Sequence, residues 1–272
     1  MAPTCTSAWR QRARIGKPWP CTFIALSSTS AWVNPARIKA FAQSELLRTK
    51  TDAVDAALIA RFCKSQSPEL WVPPSPEIRV LQALMRHCDH LKTTRAQQSV
   101  YAQSSGAAVV TASIREVIAT LDEQIAQVER KIRQHFDDHP DLKRRRDLLT
   151  SIPGIGETTA GAILSEIPHL DRFESAKAIA AFAGLSPRER QSGTSIHGRP
   201  RMCKTGNARI RKALYMPAIV PLRCNPILRL FGEQLSAAGK HKRLIIGAAM
   251  RKLLVLAYGI LRSGVAFDAN YA

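Results

Sequence analysis

A mainly α-helical fold is predicted by three features of this 272-residue sequence. Apolar residues make up 45% of it, which supports a buried core and excludes a disordered tail. Residues 77–136 carry apolar side chains at three- and four-residue spacing with little Gly or Pro apart from Gly106. From Asp147 onward, further helical patterns alternate with short Gly-containing turns.

Taken in order, residues 1–32 hold Arg10, Arg12, Arg14 and Lys17, no acid, and no clear periodicity. Residues 33–63 read as a strand end at "WVNP", a short helix "ARIKAFA", a loop, and a helix from about Thr51, with Thr51 or Lys50 where an N-cap belongs. "IRVLQALMRHCDHL" and "IREVIATLDEQIAQVERKI" predict two long helices joined near "QSSGAA", as an antiparallel hairpin or a pairing surface for another subunit. Ile114, Ile118, Leu121, Ile125, Val128 and Ile132 form the near-heptad seam of the second helix. "LLTSIPGIGETTAGAILSEI" then reads helix, turn, helix, and "FESAKAIAAFAGLSP" a further helix ending at Gly184. Boundaries are therefore expected near residues 32, 76 and 140.

The formal charge of +19 points first to nucleic acid and second to an anionic membrane surface. The longest apolar stretch, "LIIGAAMRKLLVLAYGIL", is interrupted by Arg251 and Lys252 and reads as a buried amphipathic helix, not a membrane span. No secretory leader is evident. The six cysteines form no C-x-x-C pair and suit reduced thiols in a cytosol. His87, Cys88, Asp89 and His90 raise the question of zinc, but no second ligand pair stands at finger-like spacing, and they read as polar residues on a helix.

Three places carry candidate chemistry. Asp52 and Asp55 in "RTKTDAVDAALIARF" are either metal-holding carboxylates or acids placed to suit a helix N-terminus. Gly154 and Gly156 permit a tight turn whose N–H groups, with the next helix start, can hold a DNA phosphate as in a helix–hairpin–helix; the alternative is a plain turn. Residues 188–214 carry Arg188, Arg190, Arg199, Arg201, Lys204, Arg209, Arg211 and Lys212 against Glu189 alone. Beyond Arg190 the remaining acids are Glu233 and Asp268, so the positive field gathers in the C-terminal third, as a phosphate-binding face requires. Ser192 and Ser195 sit among these cations, where a hydroxyl can attack a phosphodiester and arginines can stabilise the charge on phosphorus oxygens.

Together, "VNPARIKAFAQS…RTKTDAVDAALIARF", "IPGIGETTAGAILSEI", "FAGLSPRERQSG" and "KTGNARIRKAL" resemble the transposases of the insertion sequence 110 (116/902) family over about residues 33–265. The resemblance implies an α/β RuvC-like (RNase H-like) domain with a D-E-D-D acidic set and Mg²⁺, a helical coiled-coil linker, and a helical C-terminal domain with a serine nucleophile. It further implies DNA as substrate, a structured guide RNA from the element, a homo-oligomer and a bacterial cytoplasmic, nucleoid-associated setting. Carried over, Asp52 and Asp55 match the last two acids and Ser192 the nucleophile, with Ser195 as fallback. The first Asp and the Glu, expected upstream in a segment resembling "EATG-x-Y", have no counterpart here, where the first acid is Glu45. Back-translation of residues 8–25 from the third base of the Ala8 codon permits V-E-A-T-G-A-Y-W-E-A-L-A-L-Y-F-H-R-A, and the single-codon Trp9 and Trp19 fit unadjusted. Residues 1–32 are therefore expected to be out-of-frame translation that packs poorly. The chain is expected to keep only a remnant of the RuvC-like domain (33–76), ahead of the linker (77–140) and the C-terminal domain (141–272), and to be catalytically impaired. The rival reading is a non-catalytic DNA- or RNA-binding protein.

Overall fold

A computed structural model describes residues 31, 33–192 and 196–269, and they form two compact units divided at Pro73/Pro74. The expectation that residues 1–32 pack poorly falls outside the described residues, Ala31 excepted. Helices dominate both units.

The first unit contains α1 (Pro35–Ser44) and α2 (Asp52–Gln66). The expected strand at "WVNP" is not formed at its described positions: Val33 and Asn34 are irregular, and an isolated bridge joins Ala31 to Leu70. Asn-Pro is instead a helix start. The Asn34 side chain accepts a hydrogen bond from the Ala36 N–H, and Pro35 takes the first helical position, where its missing N–H costs nothing. A small apolar cluster of Ile59, Phe62 and Cys63, backed by Val33, Ile38 and Phe41, holds the two helices. Phe41 meets Phe62 edge to face at 5.4 Å, and Arg61 pairs with Glu45 at 2.7 Å.

The second unit begins with α3 (Pro76–Ser104) and α4 (Ala108–Asp137), which form the expected antiparallel hairpin. Ile114 and Val128 are buried on the predicted seam, with Ile118, Leu121, Ile125 and Ile132 half-buried. Next come α5 (Pro140–Thr150), α6 (Glu157–Glu166), a 3₁₀ turn at Leu170–Arg172 and α7 (Ala176–Phe182). A two-stranded antiparallel hairpin follows, β1 (Pro187–Ser192) with β2 (Ile196–Met202). The chain ends in α8 (Ala208–Ile219), α9 (Pro221–Cys224), α10 (Pro226–Ala237) and α11 (Lys242–Ser263).

One apolar core joins Leu81 of α3, Phe136 of α4, Leu149 of α5, Ile163 of α6, Leu214 of α8 and Leu253 of α11. The boundary expected near residue 140 falls inside this core, because Phe136 and Leu142 are buried in the same cluster on either side of it. By length and composition α11 could cross a membrane, yet Leu253, Leu254 and Ala257 are fully buried and the helix forms part of the core. Each such leucine contributes about 2 kcal/mol by leaving water.

Candidate nucleic-acid interface

Residues 188–192 and 196–202 of the cation-rich segment form the β1–β2 hairpin and 208–214 open α8, and the base of the hairpin is built from two interlocked turns. After α7, Gly184 turns at φ +70°; before α8, Gly206 turns at φ +147°. Both values lie where a side chain is strained. A Cβ on Gly206 would stand 2.3 Å from the Phe182 carbonyl oxygen, so the two backbones meet closer than any side chain allows. Three backbone hydrogen bonds stitch them: Cys203 N–H to Ser186 O (2.9 Å), Lys204 N–H to Gly184 O (3.1 Å) and Asn207 N–H to Phe182 O (2.8 Å). "AGLSP" and "KTGNAR", on either side of the hairpin in sequence, form one lock.

Asn207 fastens this lock to the helices. Its side-chain oxygen accepts from the Arg209 and Ile210 N–H groups and caps α8, while its amide nitrogen donates to Glu166 at 2.8 Å. Glu166, nearly buried at the end of α6, also accepts from the Arg86 guanidinium at 3.1–3.2 Å. Burial pushes the Arg86 guanidinium below its usual value, while Glu166 opposes that shift. A buried carboxylate left without these donors would carry a large desolvation cost, so the three residues hold α3, α6 and α8 in one arrangement.

From this base the hairpin runs with Arg188 opposite Arg201, an irregularity before Arg190, then Arg190 opposite Gly198 and Ser192 opposite Ile196. Ser192 is the last residue of β1, roughly 13 Å along the strand from Arg188. Ser195, the fallback nucleophile, lies outside the described residues. Arg188 and Arg201 are exposed and directly opposed. Like charges facing each other across two strands are unfavourable, and an anion between or beside them removes that penalty. Lys204, also exposed, adds a third positive side chain at the base.

Of the other candidate cations, Arg209, Arg211 and Lys212 have partners within the chain, and the side chains of Arg190 and Arg199 lie outside the described ones. Arg211 donates to the Ala183 carbonyl at 2.8 Å and packs beside Gly184. Lys212 pairs with Asp89 at 2.6 Å, and Arg209 stands 3.8 Å from Glu166. Asp89 belongs to the His87–His90 group; the neighbouring Cys88 is buried, which raises its thiol above the usual value. Among the described residues no group of three His, Cys, Asp or Glu could hold a metal.

The Pro153–Gly156 turn joins α5 to α6 with Ile152 and Ile155 pinned in the core. Its two glycines differ. Gly154, at φ +102°, faces the protein: a Cβ there would stand 2.0 Å from the Pro221 ring. Gly156 is exposed, has nothing within 4 Å of its Cβ position, and caps α6. At that helix start the first N–H groups lack intrahelical acceptors.

In the first unit, Thr51 caps α2 by accepting from the Val54 N–H, and Asp52 and Asp55 occupy the first turn. Three positions apart on a helix, they share one side, with Cβ atoms about 5–6 Å from each other. Asp52 is exposed and Asp55 half-buried. Mg²⁺ ordinarily takes one or two protein carboxylates and keeps several waters, so this pair fits one edge of such an ion and no more.

Residues 146–233, which include the lock, the hairpin and α8, match the model of the transposase IS116/IS110/IS902 family. Residues 17–105 match a second transposase model, that of the DEDD transposases of IS110 type; this match starts inside the segment read as out of frame and includes Asp52 and Asp55. The chain is also 38% identical to the pilin gene-inverting protein of Moraxella bovis, over 87% of this chain and 73% of that one. The chain belongs to the IS110 family of transposases. The same identity and coverage relate it to the pilin gene-inverting protein of Moraxella lacunata. It is 29% identical to an uncharacterised insertion element IS110 protein of Streptomyces coelicolor, over 74% of this chain and 48% of that one. As an IS110-family transposase it is of the DNA transposase and recombinase enzyme class, and its substrate is DNA.

Proposed function

We propose that this chain is a transposase of the RNA-guided recombinase type. Ser192 is its strand-attacking nucleophile, and the cations at the hairpin base hold the DNA backbone. The observation that carries this reading is the position of Ser192 at the end of a strand fastened to the core through Gly184, Gly206 and Asn207, with Arg188, Arg201 and Lys204 exposed below it. The serine oxygen attacks a phosphorus, forming a phosphoserine link as the bond to the departing strand breaks. That strand's oxygen leaves with a proton, while the base arginines, roughly 13 Å along the strand, hold the flanking backbone and not the attacked phosphate itself. The reverse step rejoins DNA without an external energy source. The pilin gene-inverting relatives fit the same chemistry, since inversion also exchanges strands between sites. The helix–hairpin–helix reading of the α5–α6 turn narrows to Gly156 and the start of α6 as the phosphate-facing part. The guide RNA and the homo-oligomer belong to this proposal as well.

Asp52 and Asp55 are the acids proposed to hold Mg²⁺, which when bound would supply positive charge for a phosphate. They are two of the four acids that the family pattern calls for. A position error of about 1 Å costs on the order of a hundredfold in rate, so half an acid set leaves the chain able to bind but not to cut. In an assay with Mg²⁺ and a cognate RNA, the 272-residue chain is expected to bind nucleic acid without cleaving it. A chain with the upstream frame restored is expected to cleave in a Ser192-dependent manner. Cleavage by the chain as it stands, lost in Ser192→Ala, overturns the impairment. Failure of the restored chain to cleave favours the non-catalytic binding protein. Neutralising Arg199, Arg201 and Lys204 together is expected to flatten the slope of log affinity against log salt by about 2–3.

A further inference from the structure

We infer that the outer face of α8 is a stacking platform for an unpaired nucleobase, with Tyr215 under the base and Arg209 and Lys212 on the adjoining phosphates; this rests on the nucleic-acid reading above. The inner side of α8 is fully committed: Ile210, Leu214 and Ala218 are buried to 0%. The opposite side carries Arg209, Lys212, Tyr215 and Met216, at the offsets of three, six and seven residues that share a helix face. Tyr215 is 48% exposed and Met216 65%. Among the described residues no hydrogen bond or ring contact engages the Tyr215 side chain.

A single exposed apolar residue requires no explanation, but this pair continues a line of cations. Those cations sit at the start of α8 with no acid in its first turn, against the helix dipole, and that arrangement is relieved by a bound anion. Their internal partners are weak. Lys212 and Asp89 are 62% and 56% exposed, and an exposed pair of this kind is readily displaced. Glu166 is already satisfied by Arg86 and Asn207, so Arg209, at 3.8 Å and 60% exposed, is its loosest neighbour. Arg188, Arg201 and Lys204 extend the same positive field to the hairpin that leads into α8.

The occupant follows from charge and shape. Phosphates suit Arg209 and Lys212, and about 4.5–9 Å further along the helix axis the surface becomes an aromatic ring beside a thioether. A strand lying along this line sets a phosphate on the cations and the neighbouring base on Tyr215. Bases inside a duplex are stacked on each other and cannot reach the ring, so the ligand is single-stranded or locally unpaired.

The test is fluorescence anisotropy with the full chain, using a short labelled single-stranded RNA, its DNA equivalent, and a duplex of the same sequence. Tyr215→Leu is expected to weaken single-strand binding roughly 5- to 150-fold, with the salt slope unchanged and duplex binding unaltered. Tyr215→Phe should stay near the parent chain, and Lys212→Ala should lower the salt slope by about one. Equal loss on duplex and single strand, or no loss with Tyr215→Leu, overturns the platform while leaving the nucleic-acid reading intact. Self-association lost in Tyr215→Leu with binding unchanged would assign the face to protein contact instead. If the parent chain shows no salt-dependent binding at all, both readings fall.

Discussion

The unit that carries the acids and the unit that carries the serine are held together very differently. Around Asp52 and Asp55, two helices share a cluster of Ile59, Phe62 and Cys63 with three partly buried neighbours. Beneath the serine hairpin, eight helices and the turns between them contribute to one core that includes Leu81, Leu149, Ile163, Leu214, Leu253 and Leu254, all fully buried or nearly so. Positional precision follows core size. The hairpin base is over-determined by close backbone contact and a buried carboxylate. The acids rest on a cap, a dipole and a few aromatic contacts.

The largest expected consequence concerns folding in isolation. A fragment of residues 74–272 is expected to unfold cooperatively, followed by circular dichroism in urea. A fragment of residues 33–73 should show little helix, since helices of 10 and 15 residues are marginal without substantial tertiary packing. A cooperative melt of the short fragment would erase the contrast.

Next in size is Gly206→Ala. Its left-handed backbone and the 2.3 Å approach to Phe182 O leave no room for a methyl group, and a loss of about 2–4 kcal/mol is expected by urea denaturation. Gly156→Ala, with open space around it, should cost under about 1 kcal/mol. Similar costs for the two would mean that the lock is looser than its distances indicate.

The finest probe compares two cysteines that are about equally covered. Cys63, in the small cluster, is 5% exposed, and Cys88, in the large unit, is 4% exposed. Low-stability regions open locally while a large core opens only with the whole molecule. Thiol labelling under native conditions should therefore be faster at Cys63 and nearly independent of dilute urea. At Cys88 it should accelerate with urea in step with global unfolding, and burial holds its thiol protonated as well. A common urea dependence would show that the two units open together.

Much of this was legible in the amino acids. The α3–α4 hairpin followed from apolar spacing, and α2 was expected from about Thr51, with the structure taking Thr51 and not Lys50 as its cap. The strand expected at "WVNP" was an error of local chemistry, since Asn34-Pro35 is itself a cap signal. The β1–β2 hairpin was missed because an arginine-rich sequence shows no apolar alternation, and its strands are set by the lock at their base and by pairing with each other. Glu166 and Arg86 were not singled out, being 80 residues apart with no shared motif.

Local rules, then, are enough for the helix periods, the caps and the overall positive charge, because each depends on residues within a few positions of one another. The four motifs likewise carried the family without coordinates. Tertiary structure alone decided which glycine of Pro153–Gly156 faces protein and which faces solvent, since Pro221 arrives from another element. It also separated the cations tied up inside, such as Arg211 bonded to Ala183, from those left exposed at the hairpin base. A guanidinium carries the same charge in either place; only the chain brought beside it determines whether that charge is already satisfied.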